Sequence, residues 1–320
     1  MNRRHFLQAA VAGGAMATGL RAYANQAFPS RPVTMVVAYA PGGGTDTLTR
    51  ALAPPLSKIL GQSVVVENKP GASEIIASSQ IVGASPDGYS LLVCSVPHVT
   101  NPSLRKLPYD TLSDFSAVCL AAQSPFVLVV KPDSPIKSLD DLVRKAKAEK
   151  LSFASSGTGT ADHLSTELFS YMTGISMTHA PYKGTGPGLV DVMGGHVDVY
   201  FANIVGAAPL VKSGKLRAIA VTTARRSSLM PELPTVQEFV GKPFDVSAWT
   251  GILAPAKTPD DILQTLNKAI SRGLQEDSVK SVMATYGAEI VANSPAEFHG
   301  FIASEVNKWA EVIKAADIKV

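Results

Sequence analysis

The stretch VTMVVAYAPGGGTD, residues 33–46, decides how this chain is read. Val33–Ala40 is an apolar, β-branched run that reads as a buried strand. It breaks at Pro41-Gly42-Gly43-Gly44, and a helical pattern begins at Thr45-Asp46, with Leu48, Leu52, Leu56 and Ile59 on one face and Gly61 as its stop. Strand, glycine corner, helix is the opening of a βαβ unit. Pro54 and Pro55 fall inside the helical pattern and are expected to kink or split it.

The same design recurs at residues 151–160, LSFASSGTGT. Leu151–Ala154 is a strand, Ser155-Ser156-Gly157-Thr158-Gly159-Thr160 is the corner, and a helix runs on to Met172 with Gly174 as its stop. Glycines let backbone approach a ligand closely. The first amides of a helix lack intrahelical partners, and the helix end carries partial positive charge. A carboxylate fits there without lysine or arginine, at the carboxyl ends of the strands where α/β sheets bind ligands. Either corner also serves as an ordinary tight βα turn. Asp46 reads as a brace for loop amides, or as a direct contact to an amino group on a ligand. His98, His163 and His179 can each reach a cleft or be satisfied structurally.

Further strands are read at Ser63–Glu67, Tyr89–Ser95, Phe126–Val130, Val197–Phe201, Leu216–Val221 and Trp249–Ala254. Their alternation with helical patterns gives an α/β class with parallel or mixed sheets. Three helix starts carry cap signatures: Ser138 with Asp141, Thr258-Pro259-Asp260-Asp261, and Ser294-Pro295-Ala296-Glu297. The last helix, to about Ala316, aligns Phe298, Ile302, Val306, Trp309 and Ile313.

The first residues form an export signal: Arg3-Arg4, an apolar run from Phe6 to Leu20, then Ala22-Tyr23-Ala24. That run is too short and glycine-broken to span a bilayer. Asn2–Gln8 also resembles a twin-arginine motif, so the periplasmic route is either that or the general secretory one. Residues 1–24 carry Arg3, Arg4 and Arg21, three of the 29 basic residues, and none of the 26 acidic ones. The mature chain is therefore charge-balanced, and nothing points to nucleic acid or an anionic membrane as partner. Its length, about 296 residues, favours two domains. No other stretch is apolar enough to span a membrane. Cys94 and Cys119 sit in strand-like runs and read as buried free thiols rather than a disulfide.

No phosphate-loop lysine motif, dinucleotide fingerprint, His-Glu-x-x-His site or Gly-x-Ser-x-Gly elbow is present. Ser103-Leu104-Arg105-Lys106 fits Ser-x-x-Lys by letter only. An enzyme is disfavoured, and no cofactor or metal is expected.

Several stretches together resemble the Bug/TctC family, the extracytoplasmic receptors of tripartite tricarboxylate transporters. They are Pro41–Asp46, Gln62–Ala72, Pro86-Asp87-Gly88-Tyr89, Leu107-Pro108-Tyr109-Asp110, Ser155-Ser156-Gly157, Pro181-Tyr182-Lys183-Gly184, Pro234-Thr235 and Ala254-Pro255. The resemblance implies a two-lobed fold of the type II periplasmic-binding-protein kind, with a mixed sheet flanked by helices in each lobe. Lobe one would be 28–125 plus 251–320 and lobe two 126–250, with crossings near Ser124-Pro125 and Thr250-Gly251. It implies a receptor that closes on a di- or tricarboxylate, acidic amino acid or aromatic acid; a monomer is the default expectation. The partner would be the membrane subunits of such a transporter; a sensor kinase ectodomain is the alternative. Ligand contacts are expected from Tyr39, Ala40, Pro41, Gly42, Gly43, Gly44, Thr45, Asp46, Ser73, His98, Ser155, Ser156, Gly157, Thr158, Thr160, His163, Lys183, Gly184, Ala202 and Asn203. The chain departs from the family pattern at Ser73-Glu74, where a Gly-Gly pair is common, at Ala202, where Asp is common, and at Thr158, where Asn is common. These changes alter the polar lining, so the ligand is not transferable from a relative.

Overall fold

The computed structural model describes residues 28–315, except Gly43, Lys183 and Tyr286, together with Ile318. The export signal lies outside the described residues. Strands β1 (Val33–Val37), β2 (Val64–Asn68) and β3 (Ser90–Cys94) alternate with helices α1 (Gly44–Leu60), α2 (Ile75–Val82) and α3 (Pro97–Leu104). The chain then enters the long strand β4 (Phe115–Val130). The middle third holds α4 (Leu139–Ala148), β5 (Ser152–Ser155), α5 (Ala161–Thr173), β6 (Thr178–Pro181), α6 (Thr185–Gly194), β7 (Val199–Asn203), α7 (Ile204–Lys212), β8 (Arg217–Val221) and α8 (Val236–Val240). Strand β9 (Ser247–Pro255) leads to α9 (Asp260–Leu274), α10 (Asp277–Thr285), β10 (Glu289–Ile290) and α11 (Pro295–Ala315).

The strand path is β2-β1-β3-β9-β4-β7-β5-β6, with β8 and β10 also paired to β4. β1 is parallel to β2 and β3, and β5 to β6 and β7. β9 is antiparallel to both β3 and β4. β4 joins the halves. Its residues Phe115–Pro125 pair with β9, while Phe126–Val130 pair with β7 and β8. Ser247 of β9 faces Pro125, so the whole of β9 pairs beside the Phe115–Pro125 part of β4.

Parallel strands covered on both faces read as continuous apolar runs. β1 accordingly buries Val33, Met35, Val36 and Val37, and Leu48, Leu52 and Leu56 of α1 close one face of it. α11 packs against α3, α5 and β4, spanning both halves. Gly251 is a close-approach position: a Cβ there would stand 2.3 Å from the Phe298 ring. Phe298, Ile302, Trp309 and Ile313 are buried as the periodicity requires, with Val306 partly buried beside them.

Local expectations and outcomes differ in two places. Helix α1 runs unbroken through Pro54 and Pro55. The two prolines forgo two intrahelical bonds, and the apolar face packed on the sheet holds the helix together. Pro259 occupies the N-cap rather than the first helical position of α9, and Thr258 Oγ1 donates back to Pro255 O at 2.8 Å instead of capping. The other two signatures form caps. Ser138 Oγ accepts from Asp141 N, and Ser294 and Glu297 exchange reciprocal bonds. Cys94 and Cys119 are buried and unpaired.

Candidate functional site

A cavity of about 350 Å³ opens where the β1–α1 corner faces the β4/β9 crossing. Its walls include Tyr39, Gly44, Thr45 and Leu48 from the corner and Ser95 after β3. Gln123, Ser124, Trp249 and Thr250 come from the crossing strands, Asn203 and Val205 from the β7–α7 junction, and Met283 and Ala288 from α10 and its exit. Apolar surface dominates, and no lysine or arginine is among the described lining residues.

The corner is rigid for a physical reason. Gly42 sits at φ +90, where a side chain is strained. Its amide donates to Asp46 Oδ2 at 2.9 Å. Asp46 also accepts from Asn68 Nδ2 at 2.7 Å and Arg50 Nε at 3.0 Å, and Asn68 donates in turn to Tyr39 O. Burial alone would raise the Asp46 carboxyl, but the bonds from Gly42, Asn68 and Arg50 outweigh it and hold the group below its usual range. Asp46 is thus spent on the loop and does not line the cavity. Gly44 and Thr45 do, and their amides precede the first intrahelical bond of α1. Pro41 and Gly42 are exposed at the rim, and Ala40 is exposed beside them.

The second corner is braced in parallel by Asp162, a residue the sequence reading missed. Asp162 accepts from Ser156 N at 2.7 Å, Ser156 Oγ at 2.8 Å, Tyr200 OH at 2.6 Å and His163 N at 3.1 Å. Ser155 is fully buried; its Oγ lies 2.6 Å from His179 Nε2 and accepts from Gly157 N. Thr160 Oγ1 donates to Gly157 O. His163 Nδ1 accepts from Gly159 N at 3.1 Å, which requires the neutral ring. Burial, with His179 stacked at 3.9 Å between centroids, pushes His163 down to about 3. The signal for Asp162 was present: like Asp46, it is an acid in the first turn after a glycine corner.

Of the expected contacts, Tyr39, Gly44, Thr45 and Asn203 line the cavity. Ser155, Ser156, Gly157, Thr158, Thr160, His163 and Gly184 stand outside it. Ala202 is fully buried in the core, its chain neighbour Asn203 taking the cavity wall. Gly43 and Lys183 lie outside the described residues. Ser73 is exposed, and its carbonyl accepts from Asn101 Nδ2. His98 does not face the cavity. It is fully buried, edge-on to Phe115 at 5.0 Å, and burial lowers it to about 4. Its position in the first turn of α3 turns the ring into the core. Glu74 is likewise interior, with burial raising its carboxyl to about 8 against bonds from Tyr39 OH and Ser95 N. The residues sequence reasoning passed over, Trp249, Ser124, Met283 and Ala288 among them, reach the cavity only through the strand crossing and the return of the C-terminal third.

Residues 48–318 match the family described as tripartite tricarboxylate transporter family receptor. Protein BugT of Bordetella pertussis is 37% identical over 298 residues, covering 92% of this chain and 91% of BugT. A Rhodopseudomonas palustris protein solved with adipate is 36% identical, with TM-score 0.76 over 91% of this chain and 99% of that one. A TctC solute-binding protein from Polaromonas, solved without ligand, is 26% identical, with TM-score 0.83 over 90% and 99%. The fold is the two-lobed one of periplasmic binding proteins. The chain belongs to the Bug/TctC family of solute-binding receptors.

Proposed function

We propose that this protein is exported to the periplasm, acts there as a monomer, and captures a small carboxylate by closing two lobes on it. It then delivers the ligand to the membrane subunits of a tripartite tricarboxylate transporter. The lobes are 28–125 with 251–320, and 126–250; the change of β4 partners between Pro125 and Phe126 supports the division. The observation that carries the reading is the first turn of α1 opening onto a cavity that has no lysine or arginine among its described lining residues. Backbone amides and the helix dipole supply the positive potential that lysine or arginine would otherwise supply. The apolar walls suit an acid with a hydrocarbon or aromatic body, and adipate in the R. palustris relative is of that kind.

The loop 155–160 is the second grip, and it reaches the ligand only after closure. The higher TM-score to the ligand-free Polaromonas protein, at lower identity, supports reading this arrangement as the open form. Ligand bound to one lobe then favours the closed state because only that state satisfies both corners. No helix among the described residues is long and apolar enough to cross a membrane. The family is one of receptors, and the proposed role is capture without turnover.

Gly44→Asp tests the site. A Cβ at Gly44 meets nothing within 4 Å and the backbone is not left-handed there. The variant should fold, yet place a carboxylate where the ligand's would sit. Calorimetric titration with adipate and related acids should show binding to the native chain and none to the variant. Equal affinities would remove the first corner from the site.

A further inference from the structure

Behind the Tyr39–Ser95 wall lies a second cluster that the cleft does not use. Glu74, Cys94 and His98 each direct one ligand-type atom into a common space, all within 4.8 Å of one another. None is more than 1% exposed. Glu74 Oε1 accepts from Tyr39 OH and Ser95 N, but Glu74 Oε2 has no partner. Neither ring nitrogen of His98 makes a hydrogen bond of good geometry, although the Thr111 backbone comes close enough to oppose the effect of burial on the ring. Cys94 Sγ makes only a long contact of 3.7 Å to Gly251 O. Buried polar atoms left without good partners are costly, so their gathering beside a thiol calls for an occupant.

The backbone shows how the carboxylate arrives there. Ala72, Ser73 and Glu74 hold φ of 46, 51 and 76, a left-handed run without a glycine. Strain of this sort persists where the surroundings fix it, and it gathers at functional sites. Here it turns Glu74 inward, beside the end of β3 and the first turn of α3. The Ser73-Glu74 pair that departs from the family's glycines is therefore what completes the cluster.

We propose that Glu74, Cys94 and His98 form a buried site for a borderline divalent transition metal, zinc being the simplest probe. Carboxylate, thiolate and imidazole are the donor set such ions take. A carboxylate and a thiolate together balance a divalent charge, so the loaded site is neutral, as a dry interior demands. Ligands about 2.0–2.3 Å from a tetrahedral ion stand roughly 3.3–3.8 Å apart, so the three atoms need close by only about 1 Å. The Cys94 thiol proton and the proton that burial keeps on the Glu74 carboxyl both leave to solvent as the ion binds, so two protons balance the divalent charge. Because the cluster is interior, loading accompanies folding of the exported chain. Oε1 stays with Tyr39 and Ser95, which ties the occupied site to the cleft wall.

The test is refolding of the mature chain from guanidinium and chelator with one equivalent of Co²⁺, then competition with Zn²⁺. One Co²⁺ per chain is expected, with thiolate-to-metal charge-transfer absorption that Zn²⁺ abolishes. Cys94→Ser should lose the band, and Cys119→Ser should keep it. Glu74→Gln, close to native in shape, should keep the band with affinity at least about tenfold weaker. Refolded native chain without stoichiometric metal or band would overturn the proposal and leave the space to ordered water. So would a band that survives Cys94→Ser, or a Glu74→Gln affinity equal to native.

Discussion

The carboxylate of Asp46 accepts the backbone amide of Gly42 at 2.9 Å, and so fixes the corner from which helix α1 faces the cavity. Asp162 does the same for Ser156 at 2.7 Å in the other half of the molecule. An acid at each site is spent inward, stiffening its corner; at the first corner the helix start at Gly44 and Thr45 is left facing the cavity, whereas the amides of Ser156, Gly157, Gly159 and Thr160 at the second are already bonded. Removing either acid should therefore cost both stability and affinity. Asp46→Ala removes the acceptor of the Gly42 amide and one of the two bonds that Asn68 Nδ2 donates, and about 1–2 kcal/mol should be lost in urea unfolding. Arg50 adds little, being half-exposed. Asp46→Asn, which retains an acceptor, should lose less.

His163 gives the molecule an acid-side instability. Its folded-state pKa is lowered to about 3, whereas an unfolded histidine titrates near 6.5. Below pH 6.5 the unfolded chain binds the proton and the folded one does not, so stability is full above that pH and falls steadily toward pH 3. His163→Asn keeps an acceptor for Gly159 N without a titrating ring. Its midpoint in urea should vary less between pH 6.5 and pH 4 than that of the native chain. Parallel pH profiles for the two would contradict the role given to His163.

Ser73 occupies a left-handed position with φ 51, and its exposed side chain has no bond of its own. Glycine meets no steric cost there, though it loses more chain entropy on folding. Ser73→Gly should stabilise the protein by up to about 1 kcal/mol in thermal unfolding. The Asn101 bond to the residue 73 carbonyl is unaffected by the change.

Trp249 forms the cavity wall and packs edge-on to Phe298 and Phe301 at 6.2 and 5.6 Å. Its indole nitrogen is buried without a partner. Its contribution is therefore volume and ring contact. Trp249→Phe should cost under about 1.5 kcal/mol, and Trp249→Ala about 3–5 kcal/mol, both by urea unfolding. A Phe variant as unstable as the Ala one would show that the nitrogen has a partner.

The helical face of Leu48, Leu52 and Leu56, the caps at Ser138 and Ser294, and the apolar stripe of the last helix are legible in sequence because each depends on neighbours a few residues away. Pro54-Pro55 misleads for the converse reason: a face packed on a sheet outweighs two missing bonds, and only tertiary structure reveals it. Asp46 could be read as a brace from its place after the glycines, and Asp162 could have been by the same logic. Trp249, Met283 and Ala288 could not. They meet Tyr39 through a strand crossing that brings together segments more than two hundred residues apart. His98 was legible as a residue near a strand end, but whether its ring turned to cleft or core depended on the pitch of α3. The Glu74–Cys94–His98 cluster was hidden because no metal spacing joins those positions along the chain; a left-handed turn does.

The central claim is that a carboxylate, recognised as an anion, is held in this cavity. Thermal unfolding of ligand-stripped, refolded protein tests it most directly, using a panel of acids paired with their amides. At a hundred times its dissociation constant a ligand adds about 2.7 kcal/mol, so the midpoint should rise by a few degrees. The expected result is a rise with at least one apolar-bodied acid and none with its amide. Equal rises for acid and amide, or no rise with any di-, tri-, amino or aromatic acid, would contradict it.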